Sequence, residues 1–152
     1  MVGMPFPEGA RVCLDANIFI YLVEGQDYPA LHKPVQRLFA ACDAGRIAPV
    51  TSALTLGELL PVPLRKQDHT LVQFYRELLT IPSVLEVAPV SLAILDAAAV
   101  LRSQTNLKLP DAIHLATALD TGCRFFVTND QKMTLPEGVP VQLVRLAALY
   151  AA

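Results

Sequence analysis

Two hydrophobic rhythms alternate along this chain: short unbroken apolar runs, and longer segments in which apolar residues recur every three or four positions. The first run, residues 11–14, ends at Asp15, and helical spacing then predicts a helix over 17–23 that closes near Gly25. Residues 1–10 before it read as a loose leader. Leu31, Val35, Leu38, Phe39 and Cys42 mark one face of a second helix, stopped at Gly45. Residues 46–52 form strand two; its Pro49 cannot donate to a ladder, which favours a short strand or a place near an edge. Thr51 or Ser52 then caps a third helix carrying Glu58, which Pro61 and Pro63 end or kink. Helical periodicity resumes behind a capping Asp68 and closes at Pro82, and residues 84–90 form strand three with Glu86 outward. Ser91 opens the most apolar helix, whose scarce polar surface predicts that it packs flat against the sheet. A loop follows, and then a helix that opens with Pro110 and Asp111 and ends at Gly122. Residues 124–130 give strand four and a polar turn, and residues 139–146 give strand five. Strands alternating with helices through short connections predict an α/β fold built on a parallel sheet with right-handed crossovers.

Composition bounds this picture. With 152 residues, 53% of them hydrophobic and 17% charged, the chain suits one compact domain spanning 1–152. No apolar run reaches the roughly 18 residues of a membrane helix, and the first residues lack the regions of a signal peptide, so the expected location is cytoplasmic. Cys13, Cys42 and Cys123 are odd in number and lie in apolar surroundings, which predicts buried reduced thiols. A net charge of −2 advertises no nucleic-acid binding, so a polyanionic substrate must be held by a local basic patch, metal ions or a partner subunit. Aromatic residues make up 7% of the chain and offer no obvious platform for base stacking.

The acids then fall into a pattern. Asp15 follows strand one, Asp130 follows strand four, Asp111 opens the helix leading into strand four, and Glu58 lies in the otherwise apolar helix after strand two. If strands one and four are neighbours, as the excursion through strands two and three suggests, Asp15 and Asp130 flank a topological switch point, where open α/β sheets place ligands. Asp15 taken alone reads equally well as a helix N-cap. Two carboxylates about 4 Å apart repel by about 4 kcal/mol at an effective dielectric near 20. A group of four therefore demands protonation or cations, and hard oxygen ligands select Mg²⁺ or Mn²⁺. Ions of that kind orient an attacking water and stabilise a leaving oxygen in phosphodiester hydrolysis.

The stretch around Asp15 (LDANIFIY), the Glu58 helix (TLGELL), the Asp111 helix (LPDAIHLATAL) and the turn FVTND ending in Asp130 together resemble the PIN domain, especially the VapC-type toxins of bacterial toxin-antitoxin pairs. The resemblance runs from about residue 11 to 146, with the motifs in matching order. It implies a three-layer α/β/α fold with a five-stranded parallel sheet in order 3-2-1-4-5. It also implies a metal-dependent endoribonuclease with Asp15, Glu58, Asp111 and Asp130 as ligands and catalytic residues, a homodimer, and a partner antitoxin whose tail enters the cleft. Three features depart from the family pattern: the paired prolines after Glu58, the long segment before strand one, and Met133 where an aromatic residue is expected.

The other polar residues keep two readings each. Asn17 caps the first helical turn or contacts substrate; Thr128 and Asn129 order the turn or touch metal-bound water. Arg102 and Lys108 hold phosphate at the cleft edge or are solvated at a helix end, the run 64–69 is an exposed turn, and His114 is a structural, hydrogen-bonded histidine. Two rival functions remain. A phosphoryl-transfer Asp of the receiver or haloacid-dehalogenase kind would also follow strand one, but the latter needs an Asp where Asn17 stands, and the former needs paired early acids and a lysine after its last strand. A catalytically inactive PIN-like module that only binds partners is opposed by the four intact acids.

Overall fold

A computed structural model describes residues 5–150. Its sheet has five parallel strands in the order β3-β2-β1-β4-β5, as the resemblance implied. The strands are β1 (Ala10–Leu14), β2 (Ile47–Ser52), β3 (Glu86–Ala88), β4 (Phe125–Thr128) and β5 (Gln142–Arg145). The helices are α1 (Ala16–Val23), α2 (Pro29–Asp43), α3 (Leu54–Leu59), α4 (Pro61–Arg65), α5 (His69–Thr80), α6 (Leu92–Ser103) and α7 (Leu109–Asp120).

Side chains alternate across the pleat and so divide the core in two. Val12, Leu14, Ile47 and Val127 meet α1, α2 and the buried Tyr75 and Leu79 of α5 on one face. Cys13, Val50 and Phe126 meet Leu115 and Ala118 of α7 on the other. Every residue from Ala112 to Ala118 is buried, because α7 lies between the sheet and α6. This corrects the expectation for α6, which does not lie on the sheet: it rests on α7 through Ile94, Ala98 and Leu101 and leaves Leu92 86% and Val100 52% exposed. Four of its twelve residues are alanines, which favour helix without demanding burial.

Pro49 lies near an edge, as expected: β2, six residues long, neighbours the edge strand β3, and because the β3 ladder starts only at Val50 opposite Glu86, Pro49 stands beyond the end of β3, where no donor is needed from it. The leader is not loose from residue 5 onward. Phe6 is buried against Phe125 with ring centroids 4.9 Å apart, and Gly9 N–H donates to the Arg46 carbonyl at 2.7 Å; residues 1–4 lie outside the described residues. Pro61 and Pro63 kink the path rather than stop it. Pro61 begins α4, where its missing N–H is no loss, and Leu64 N–H still reaches the Leu60 carbonyl at 3.0 Å. Glu86 points outward, as expected, and pairs with Arg11 at 2.8 Å. Gly45 and Gly122 end α2 and α7 in the left-handed region, at φ +73° and +71°. All three cysteines are buried and free. No helix among the described residues is long and apolar enough to cross a membrane.

Candidate metal centre

Parallel strands point all their carboxyl ends the same way, and β1 and β4 end side by side. Asp15 is the residue that emerges there. Its backbone N–H donates to the Val127 carbonyl at 3.0 Å, which fixes it to the end of β4. On the other flank the Thr51 hydroxyl donates to the Leu14 carbonyl at 2.9 Å. The carboxylate is braced as well: Oδ1 accepts from Ala16 N–H at 2.8 Å and Oδ2 from the Thr128 hydroxyl at 2.6 Å. The cap reading of this acid holds, since Asp15 opens α1 with its side chain on Ala16 N–H, and it does so at the carboxyl ends of the neighbouring strands β1 and β4.

The turn after β4 is organised around Thr128, which is fully buried. Besides donating to Asp15, its Oγ1 accepts from Asp130 N–H at 3.0 Å and from Asn17 Nδ2 at 3.4 Å. Asn17 Oδ1 in turn accepts from Asn129 N–H at 3.4 Å, so Asn17 braces the turn. Asp130 Oδ1 accepts from Lys132 N–H at 2.9 Å, the self-capping expected of such a turn, and its residue also lines the cleft.

Glu58 and His114 come from the opposite wall. His114 stands one helical turn after Asp111, is 1% exposed, and its Nε2 lies 2.6 Å from Glu58 Oε1 and 3.8 Å from Asp15 Oδ1. It is hydrogen-bonded, as expected, but its partner is one of the four acids. Asp15, Glu58 and His114 each offer a ligand atom, and those atoms lie within 4.8 Å of one another. Burial opposes charge on His114, yet the hydrogen bond to Glu58 and the charges of Asp15, Glu58 and Asp111 outweigh it and raise its pKa above the usual imidazole value. Asp111 is pushed above the ordinary carboxylate value by burial first, then by the negative charges of Asp15 and Asp130, with a smaller push from Glu58 and partial relief from His114. The four acids thus feel one field. One histidine cannot balance them, and the cluster fits a divalent cation held mainly by oxygen.

Asp111 and Asp130 also wall a cleft of about 510 Å³ between the α6–α7 loop and the β4–β5 loop. Lys108, which precedes the helical turn of Asp111, lines it; Arg102 does not, and instead donates from Nε to the Leu107 carbonyl at 3.2 Å. Met133 is 3% exposed and forms part of the cleft wall where an aromatic residue was expected. Sequence reasoning passed over Lys132 and Asn106, both at this cleft. A lysine two residues after Asp130 was the one available signal, and it is indistinguishable in sequence from an ordinary solvated turn.

The PIN domain profile matches residues 12–136. Among solved structures, a toxin-antitoxin complex from Klebsiella pneumoniae superposes with a TM-score of 0.60 at 25% identity, over 86% of this chain and 98% of that one. VapBC2 from Rickettsia felis, bound to a DNA fragment from its promoter, gives 0.65 at 17% identity over 89% and 98%. VapC20 from Mycobacterium tuberculosis, a sarcin-ricin loop cleaving toxin, gives 0.60 at 20% identity over 76% and 86%. No curated protein sequence matches significantly.

Proposed function

The chain belongs to the PIN domain family, and from that premise we propose that it is a Mg²⁺- or Mn²⁺-dependent endoribonuclease acting as the toxin of a type II toxin-antitoxin pair. The observation that carries this reading is the convergence of ligand atoms from Asp15, Glu58 and His114 within 4.8 Å, at the ends of β1 and β4 and within the field of Asp111 and Asp130. Asp15, Glu58, Asp111 and Asp130 would hold the metal. A divalent ion bound there supplies Lewis acidity, lowering the pKa of a water and neutralising charge that develops on phosphoryl oxygens.

The chain's own residues do the positioning. Thr128 and Ala16 hold the two oxygens of Asp15 in fixed directions, so that carboxylate needs no reorganisation to bind. The N-terminal turn of α7 favours the ionised form of Asp111 once a cation offsets its neighbours. His114 orients Glu58, which is otherwise one-third exposed on a short helix. The RNA strand lies along the open side of the cleft, and cleavage leaves a 3′-hydroxyl and a 5′-phosphate.

Partners follow from surfaces. The exposed apolar side chains of Leu92, Leu95 and Val100 on α6 support a homodimer, since a second copy would cover them. A groove between the end of α1 and α5, floored by Leu22, Leu71 and Phe74 and rimmed by Asp27 and Asp68, supports docking of an antitoxin segment. The location is cytoplasmic. Two rivals lose ground: Asn17 is committed to bracing residue 129 and leaves no second acid for phosphoaspartate chemistry, while an inactive module would not require Thr128 and His114 to orient two carboxylates.

The test is cleavage of a panel of RNAs with Mg²⁺ or Mn²⁺, comparing the wild type with Asp15→Ala and adding EDTA. Cleavage that needs the metal and is lost in the variant is the expected result; metal-independent cutting or an unimpaired variant overturns the mechanism.

A further inference from the structure

The cleft beside Asp111 and Asp130 has a composition that metal binding does not explain. Its volume, about 510 Å³, lies within the range of small-molecule sites. One wall is the α6–α7 loop and the other the β4–β5 loop, and both are tied down from behind by arginines. Arg102 donates to the Leu107 carbonyl at 3.2 Å, and Arg145 of β5 donates to the Met133 carbonyl at 2.5 Å. The cavity is therefore preformed rather than a gap between loose segments. Its lining is divided by chemistry: Leu107, Met133 and Leu135 are apolar, Lys108 and Lys132 are cationic, and Asn106 and Thr134 offer hydrogen-bonding side chains. The two lysines stand in the same lining as Asp111 and Asp130.

We infer that this cleft is a nucleotide subsite: it takes one nucleotide of the RNA strand next to the scissile bond, with Lys108 and Lys132 on its phosphate and the base against the half-buried Leu107 and Leu135. The inference rests on the ribonuclease reading above and gives it a determinant of sequence preference. Each base has an apolar face that can rest on aliphatic side chains, so the scarcity of aromatic residues is no obstacle; the buried Met133 backs Leu107 and Leu135 from the core. Discrimination then falls to the base edge. An amide carries both donors and an acceptor, and Asn106 with Thr134 can pair with one edge pattern and leave others unpaired. The lysines serve every sequence equally and supply affinity that salt weakens.

Amide chemical shifts of the full chain, in Mg²⁺ buffer, are to be followed during titration with inorganic phosphate and with each of the four nucleoside 5′-monophosphates. At least one nucleotide should bind about tenfold more tightly than phosphate, the equivalent of one well-made interaction, with shifts centred on residues 106–108 and 132–135. Thr134→Trp, an exposed position at which indole fills the cleft, should reduce that nucleotide to the level of phosphate. Lys108→Ala and Lys132→Ala should each raise KM for RNA about tenfold, with a much smaller loss in kcat, and flatten the salt dependence of binding by about 0.7 per lysine. Four nucleotides no tighter than phosphate, a preference that survives Thr134→Trp, or unaltered salt dependence would overturn the assignment. The two readings fail separately. Nucleotide preference without any RNA cleavage sinks the ribonuclease and leaves only a nucleotide-binding cleft, whereas RNA cleavage whose sequence preference is untouched by Thr134→Trp sinks the subsite alone.

Discussion

Asp15 and Glu58 face each other across the proposed centre and are built in opposite ways. Asp15 leaves a central strand of the sheet, has neighbours on both sides, and has each carboxylate oxygen claimed by a hydrogen bond. Glu58 stands on a six-residue helix just before a proline-marked kink, is one-third exposed, and is held by the single contact to His114. One wall is set by the backbone and the other by a side chain. The difference teaches that one wall of the proposed centre is placed by the sheet itself, whereas the other is completed only by the side chain of His114.

Breaking the rigid wall outright should have the largest effect. Asp15→Ala is expected to lower RNA cleavage by about 10³-fold, the scale of losing a central electrostatic group, while circular dichroism stays native; a loss under tenfold would remove Asp15 from the centre. Next comes Thr128→Val. It leaves Asp15 Oδ2 and Asp130 N–H without their partner and should cost about 1–3 kcal/mol in denaturant unfolding. Because it also frees a proposed ligand, calorimetric metal affinity should fall about 10- to 100-fold; a change in stability alone would mean the brace serves only the fold.

The softer wall is probed by His114→Gln and His114→Ala. Glutamine keeps a donor toward Glu58 and should retain most metal affinity, whereas alanine should lose about tenfold or more. Equal losses would assign His114 to packing. The stability cost of either variant depends on pH. The raised folded-state pKa of His114 means its contribution is complete below the unfolded value and is lost as pH rises through the folded one, so the variants should differ from wild type less at alkaline pH.

The smallest effect belongs to Asp111 in metal-free protein. Its folded pKa is raised, so its charged form is disfavoured by the fold at neutral pH and that penalty disappears as pH falls through the folded value. In EDTA, Asp111→Asn should raise Tm at pH 7, with the gain shrinking toward acidic pH. With Mg²⁺ the sign should reverse, because the ion needs the ligand it has lost.

The sheet and the Asp15, Asp111 and Asp130 positions were legible because each depends on local signals: a strand run, a proline-led helix start and a self-capping turn. The burial of α6 and α7 was not, since both helices are apolar nearly all round and periodicity cannot say which neighbour covers them. α7 took the inner place through an unbroken buried stretch, Ala112–Ala118, whose small residues let the sheet and α6 approach it from both sides. Pro49 signalled the near-edge place of β2, though sequence shows only the missing donor and not that the β3 ladder starts one residue later. The His114–Glu58 contact spans 56 positions and joins two helices, a separation no spacing rule reaches. The Lys132 side of the cleft was equally hidden, since two loops that are distant in sequence build it.

Phe6 packed on Phe125, with Gly9 bonded to Arg46, closes the end of the sheet where β1 begins. Strand β1 then spans five residues, about 17 Å, before Asp15 emerges. The molecule accordingly has a sealed pole and a working pole. A fluorophore or surface tether attached at the exposed Glu8 sits at the sealed pole, so an immobilised protein would present the acids and the nucleotide cleft to solution with no tether across them.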